Sequence, residues 1–366
     1  MLSLCTDIYL IISKDFSDKE KIAISMISKK MDQLKYIFTY ADEACFDKIK
    51  TLPFFDNFMY VALNANYQRE AKILPLKCKY VHVAVYDHIP VFQTTTGKDV
   101  EIKHITLAAV VNETNPVIDG NKTSWTIPLT VTHLTFNDEY NWGVISIPQN
   151  VTHLEFGKKF DQFIQLNVLR SVKYLKFGKR FNRPIFFINL NLTHLIFGEY
   201  FNHCLFASLP TSITHLIFGR DFDKPIQFSH LMNMKYLNLG IRFNKSIEKS
   251  LPASLSHLIL SSDFNQSIKE ALPDSITHIE FGTRFNKQLK NYLSKSVTHL
   301  KFGDVFNQPV DGSIPQSVTH LIFGNRFNQS LDHLPSSVTH LTVGRRFKKN
   351  IPPTVIHLVR INKKKK

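Results

Sequence analysis

Cysteine is scarce. Cys5, Cys45, Cys78 and Cys204 are the only four in 366 residues, and no two of them stand in a CxxC spacing. That excludes a disulfide framework and a Cys-based zinc site, and it suits a reducing compartment. No run of some 18 apolar residues occurs, so no segment is long enough to span a membrane as a helix. The apolar stretch Ile8 to Ile12 follows Asp7 and no basic segment, which argues for a helix and against a signal peptide. Outside the repeated positions there is no paired carboxylate, Ser/His/Asp set, phosphate-binding loop or zinc spacing. The expectation is a chain with no catalytic residues, no cofactor and no metal, and not an enzyme.

What the chain has is repetition. Ser317-Val318-Thr319-His320-Leu321-Ile322-Phe323-Gly324, then Phe327-Asn328, recurs 21 residues earlier as Ser296-Val297-Thr298-His299-Leu300-Lys301-Phe302-Gly303, then Phe306-Asn307. The position of His320 falls at 133, 153, 174, 194, 215, 236, 257, 278, 299, 320, 340 and 357, and it is His except at Tyr174 and Tyr236. A fixed period of this size marks a solenoid, in which each unit buries its apolar face only by stacking on its neighbours. Earlier and looser copies carry Tyr80 and His104 at the same position, which makes about fourteen rungs.

Alternation assigns the faces of each rung. Thr319, Leu321 and Phe323 are expected to point into the core, with His320 and Ile322 on the other side. Proline three residues before the Val position in many turns (Pro273, Pro315, Pro335) keeps the incoming turn out of the ladder. Glycine after the core Phe (Gly282, Gly303, Gly324) lets the chain bend, at positive φ by this reading. Phe285, Phe306 and Phe327 fill a second core layer. The Asn that follows them is expected to form a ladder, satisfying backbone groups of its own and the neighbouring turn.

The domain plan follows from where the repeat is regular. Residues 1–50 lack it and read as helices, 51–72 as a linker, and 73–127 as divergent first repeats with long loops. The regular solenoid occupies 128–361, and 362–366 is a basic tail. In the first segment Ser17-Asp18-Lys19-Glu20 is a capping box that opens a helix carrying Ile22, Met26 and Ile27 on one face. A preceding helix carries Ile8, Ile11 and Ile12, and a third covers Leu34 to Phe38. These helices either form a docking module or cap the apolar end of the array.

Two resemblances attach to these motifs. Asp7-Ile8-Tyr9-Leu10-Ile11-Ile12, Phe16 to Lys21 and Ser25 to Met31 resemble the F-box, a three-helix module. The resemblance implies docking on a Skp-type adaptor and cullin of a ubiquitin ligase, with Ile8, Ile11, Ile12, Ile22, Met26 and Ile27 as contacts. Thr-His-Leu-x-Phe-Gly followed by Phe-Asn-x-Pro/Ser-Ile/Leu, as in Asn182-Arg183-Pro184-Ile185, resembles the FNIP repeat. FNIP repeats are similar to leucine-rich repeats and are abundant in social amoebae and large amoeba-infecting viruses. The resemblance implies a parallel sheet of about 12–14 rungs in a leucine-rich-repeat-like solenoid. Together the two imply a substrate receptor that brings a target protein to a ubiquitin ligase, in the cytoplasm, or the host cytoplasm if the protein is viral. The alternative is an interaction scaffold whose first helices only cap the array.

Three columns are candidates for function. The histidines repeat along a line rather than converging on a point, which favours ring stacking over metal binding. Their outward neighbours vary: Glu155, Lys176, Ile196, Ile217, Asn238, Ile259, Glu280, Lys301 and Ile322. Variation beside repeating neighbours points to a concave target-binding surface, or to isoleucines that merely favour a strand. Lys159, Arg180, Arg242, Arg284, Arg326 and Arg346 form a basic edge interrupted by Asp221 and Asp263. It reads as a solvated edge rather than a nucleic-acid site. The net charge of +15 favours acidic partners, and Lys363 to Lys366 either solvate the array end or serve nuclear import.

Overall fold

The computed structural model describes residues 17–25, 35, 38–63, 72–85, 92–94, 102, 104–109, 130–144, 147–186, 190–205 and 209–361. The chain divides into two compact units, Met1–Gly157 and Lys158–Lys366.

The first unit opens on α1 (Asp18–Ser25). Its capping box is formed as the sequence implies, with the Ser17 amide and hydroxyl both donating to Glu20 Oε2 at 2.7 Å. Those two bonds hold the Glu20 carboxyl below its ordinary value. The buried side of α1 is polar. Asp18 accepts from the amides of Ala41 and Asp42 at 3.0 and 2.7 Å, and Lys21 donates to Thr39 O at 3.0 Å. These hydrogen bonds seat the helix on the start of the next segment.

Residues 38–50 are not helical throughout, contrary to expectation. Tyr40 bridges Phe58, β1 (Ala44–Cys45) follows, and only the single turn α2 (Phe46–Ile49) is helix. The stretch read as a linker contains β2 (Tyr60–Leu63), which pairs in parallel with β1 and with β4 (Tyr80–Val85). The ladder therefore starts before residue 73. β6 (His104–Ala109), β7 (His133–Phe136) and β8 (His153–Glu155) extend it in chain order, each parallel to the last. β3 (Lys72–Leu74) and β5 (Phe92–Thr94) form a separate parallel pair. Of the third helix expected over Leu34 to Phe38, only Lys35 and Phe38 are among the described residues.

The second unit is the regular solenoid. Its ten parallel strands are β9 (Tyr174–Lys176), β10 (His194–Ile196), β11 (His215–Ile217), β12 (Tyr236–Asn238), β13 (His257–Ile259), β14 (His278–Glu280), β15 (His299–Lys301), β16 (His320–Ile322), β17 (His340–Val343) and β18 (His357–Arg360). The register never slips, since each rung residue faces the next rung residue, as His299 faces His320. Val318, Leu321, Phe323 and Phe327 are fully buried. The two Phe layers run as stacks, with Phe302 at 4.0 Å from Phe306 and 5.4 Å from Phe323. Burying one such ring contributes about 1.5–3 kcal/mol, and most turns supply two, with Leu239, Leu260 and Val343 in place of the first ring in theirs.

Two expectations about the repeat are corrected. Thr319 does not join Leu321 and Phe323 in the core. It is half-buried, and its hydroxyl donates to Thr298 O at 3.3 Å, while Val318 takes the buried place. The glycine column, with the exception of Gly240 at φ 75°, does not serve positive φ. A Cβ on Gly198 would lie 1.8 Å from Gly178 O, and one on Gly303 2.2 Å from Gly282 O. Glycine is there because successive turns stack backbone on backbone.

The Asn ladder is present and runs forward. Asp161, Asn182, Asn202, Asp223, Asn244, Asn265, Asn286 and Asn307 each use Oδ1 to accept from the amide of the next member, at 2.9–3.1 Å. Asn328 does the same for Lys348 at 2.9 Å. A serine column, invisible as such in the sequence reading, adds a second ladder. Ser275 and Ser317 donate to Leu255 O and Val297 O of the preceding turn at 2.6 Å.

Candidate functional site

In strands β9 to β17 the rung His or Tyr and its second neighbour flank a core Leu or Ile and share the face opposite the core. Imidazoles stack along that face. His257–His278, His278–His299, His299–His320 and His320–His340 have ring centroids 4.2–4.3 Å apart and planes within 15°. Tyr236 takes part at longer range, 5.7 Å from His215 and 6.4 Å from His257.

The threonine before most of the rung histidines, replaced by Ser256 before His257, sets the ring chemistry. Thr298 Oγ1 donates to Thr277 O at 3.2 Å and lies 2.9 Å from His299 Nδ1. The hydroxyl has one proton, and the carbonyl takes it. The oxygen must then accept from Nδ1–H, which leaves Nε2 as the ring acceptor. Thr277–His278 and Thr319–His320 repeat the arrangement. Burial, and then the neighbouring imidazoles, hold the His215, His278 and His320 values below the ordinary 6.5. His153 is lowered in the same way, with Glu155 acting against the shift. Stacked rings keep their Nε2 lone pairs parallel, and a metal needs them convergent. Among the described residues, no group of three or more His, Cys, Asp or Glu is placed to hold a metal.

The variable column lies beside these rings. Glu155 is in the first unit; Lys176, Ile196, Ile217, Asn238, Ile259, Glu280, Lys301 and Ile322 are in the second. The isoleucines are half-buried. Asn238 turns its Oδ1 to the Gly240 amide at 2.9 Å, which gives that side chain a local role. Glu280 and Lys301 pair across adjacent rungs at 2.5 Å, both roughly half exposed. A groove of about 300 Å³ runs over Ile259, His278, Glu280, His299, Lys301 and Ile322. It offers apolar floor, ring acceptors and one exposed ion pair.

The basic edge is not a uniform strip of charge. Asp221 pairs with Arg242 at 3.3 Å and Asp263 with Arg284 at 3.2 Å, so the two acids that interrupt the column neutralise members of it. Of the adaptor contacts, Ile22 is exposed on α1, and Ile8, Ile11, Ile12, Met26 and Ile27 lie outside the described residues. Among the described residues no helix is long and apolar enough to cross a membrane.

The repeat unit has a known counterpart. The description "FNIP Repeat" matches residues 144–169, 205–231, 264–292 and 285–326. These segments are similar to FNIP repeats. Among solved structures, the chain is similar to CroV588, described as a circular leucine-rich-repeat protein, with a TM-score of 0.69 and 30% identity. The match covers 87% of this chain and 52% of CroV588, so the chain spans about half the length of that relative. YopM from Yersinia enterocolitica aligns over 83% of this chain and 87% of its own at 14% identity, with a TM-score of only 0.26. No curated protein matches the sequence. The array is thus a parallel β-solenoid of about twelve turns, leucine-rich-repeat-like in its fold.

Proposed function

We propose that the FNIP array is a protein-interaction scaffold and not an enzyme, and that it binds a partner protein along its histidine-bearing face. The observation that carries this reading is the contrast within one face. The stacked rings repeat, while the adjoining column changes from Ile to Glu to Lys over a groove of protein-contact character. Ile259→Asp with Ile322→Asp places charge in that groove. Proteins captured by the wild type should be lost from this variant and retained by Arg242→Glu on the basic edge. An unchanged set of captured proteins in the groove variant would move the binding surface elsewhere.

A finer form makes the chain a substrate receptor, with residues 1–50 docking a Skp-type adaptor and cullin so that a target lysine is held near the charged ubiquitin carrier. The capped helix α1 with Ile22 outward supports it. The polar seat of α1 on Ala41 and Asp42 supports the plainer role of a cap. Binding of purified adaptor to the full chain, lost in Ile8→Asp with Ile11→Asp and Ile22→Asp, separates the two. The free thiols of Cys78 and Cys204 fit a cytoplasmic setting.

A further inference from the structure

The ring stacks of the second unit show which way its turns curve. From turn to turn the imidazoles of His278, His299 and His320 stand 4.2 and 4.3 Å apart. In the first Phe layer, Phe281, Phe302 and Phe323 are spaced by 5.2 and 5.4 Å. In the second, Phe285, Phe306 and Phe327 are spaced by 6.1 Å. A spacing that widens from the histidines through the core means that the turns fan out, with the histidine face on the inside. The groove over Ile259 to Ile322 is therefore concave along the array.

Two properties of this groove restrict what can fill it. Along one side, successive rungs read Ile259, Glu280, Lys301 and Ile322. Asn238 and Thr342 stand beyond them, so one acid and one base are the charges of the column there. The other side is a row of imidazoles. His257, His278, His299 and His320 each have Nδ1 2.9 Å from the hydroxyl of the preceding residue. Each hydroxyl gives its own proton to a carbonyl of the turn before. All four rings therefore keep Nε2 as an acceptor. A row of lone pairs suits donors and repels phosphates, which disfavours a nucleic acid or an anionic bilayer on this side.

With the histidine-bearing face as the binding surface, a reading on which this rests, we propose that the groove docks one amphipathic helix of a partner protein. The helix lies along the array, and its docking stripe reads apolar, basic, acidic, apolar. Strand spacing puts Glu280, Lys301 and Ile322 at about 4.8, 9.6 and 14.4 Å from Ile259. Helix positions i+3, i+7 and i+10 stand on the same face as i, at about 4.5, 10.5 and 15 Å. The two series agree to about 1 Å. An extended segment repeats each face every 6.7 Å or so, which sets its second side chain between Glu280 and Lys301 and answers only one of them. Long basic and acidic side chains also suit the middle of the groove, where a concave surface lies furthest from a straight helix. A second copy of the chain carries the same charges in reverse order, but two concave faces meet at their rims and leave both grooves empty.

The test uses the full chain and fluorescent peptides of about 18 residues, long enough to hold a helix, read by anisotropy. Each carries leucine at both ends of the stripe and glutamine beside it, with Lys/Glu, Lys/Lys or Glu/Glu in the middle. The wild-type chain should bind the Lys/Glu peptide about tenfold tighter than either like-charged one. Lys301→Glu should prefer Lys/Lys and Glu280→Lys should prefer Glu/Glu, whichever direction the helix takes. Proline at the centre of the Lys/Glu peptide keeps the four side chains, breaks the helix and should abolish binding, a result that depends on no variant folding. Affinity that follows glutamate count in all three chains would reduce the effect to the net charge of +15 and overturn the proposal. Equal binding of the proline peptide, or dimerisation through this face, would overturn it too. Captured proteins lost from Ile259→Asp with Ile322→Asp, with none of the peptides bound by the wild type, would overturn the helix and leave the scaffold standing.

Discussion

Asn286 Oδ1 accepts a hydrogen bond from the amide of Asn307 at 2.9 Å, one turn further along the chain. Both residues are half-buried, so water does not freely replace the bond. Asn286→Ala should cost about 1–2 kcal/mol in chemical denaturation, because the Asn307 amide loses its acceptor. Asn286→Asp keeps the acceptor, as Asp223 does naturally for Asn244, and should cost markedly less. Equal losses in the two variants would show that the amide group, and not the acceptor oxygen, is what matters.

Gly303→Ala should be among the most damaging small substitutions in the array. Its Cβ would meet Gly282 O at 2.2 Å, backbone against backbone, and neither can move without opening the ladder. A loss of roughly 3 kcal/mol or more is expected. Gly143 has nothing within 4 Å of the same built atom, and Gly143→Ala should leave the melting temperature nearly unchanged. A mild Gly303→Ala would mean that the turns are more loosely stacked than they are drawn.

The histidine stack should weaken the fold as pH falls. His153, His215, His278 and His320 have folded values below 6.5, so the unfolded chain takes up protons first. Stability from these groups is therefore present above about 6.5 and is lost as pH drops below it. The melting temperature should be lower at pH 5.5 than at pH 7.5. Added salt should reduce the difference, since repulsion between half-exposed rings is screened. A melting temperature flat across that window would remove the stack from any account of stability.

Thr298→Val tests the tautomer. The change keeps the shape of the side chain and removes the oxygen that receives His299 Nδ1–H. Nitrogen NMR of His299 should shift from the Nδ1–H form towards Nε2–H, with a stability loss of about 1 kcal/mol. A tautomer ratio that stays put would assign the control of the ring to its stacked neighbours instead.

The rungs could be read from the sequence because one strand residue recurs on a fixed period, and a parallel ladder in register demands such recurrence. β2 escaped because Tyr60-Val61-Ala62-Leu63 lacks the Thr-His signature. Its one clue was Tyr60 standing 20 residues before Tyr80, with which it pairs. The glycines were found and given the wrong cause, since composition shows where a side chain is missing and not what fills the space. Ile259 and Lys301 emerged as neighbours of a groove from variation alone. The pairing of Asp221 with Arg242 and of Asp263 with Arg284 did not, because the sequence showed that the acids interrupt the basic column and not which arginines they meet.

The forward-running Asn ladder makes array length an adjustable quantity. Every turn receives the same acceptor from its predecessor and hands the same one on, so removing or duplicating one whole 21-residue unit, such as 286–306, rejoins an identical donor to an identical acceptor. A cut of half that size would leave an amide facing a turn with no oxygen to offer. Reach along a partner can therefore change in whole steps, without redesign of the structure that sets it.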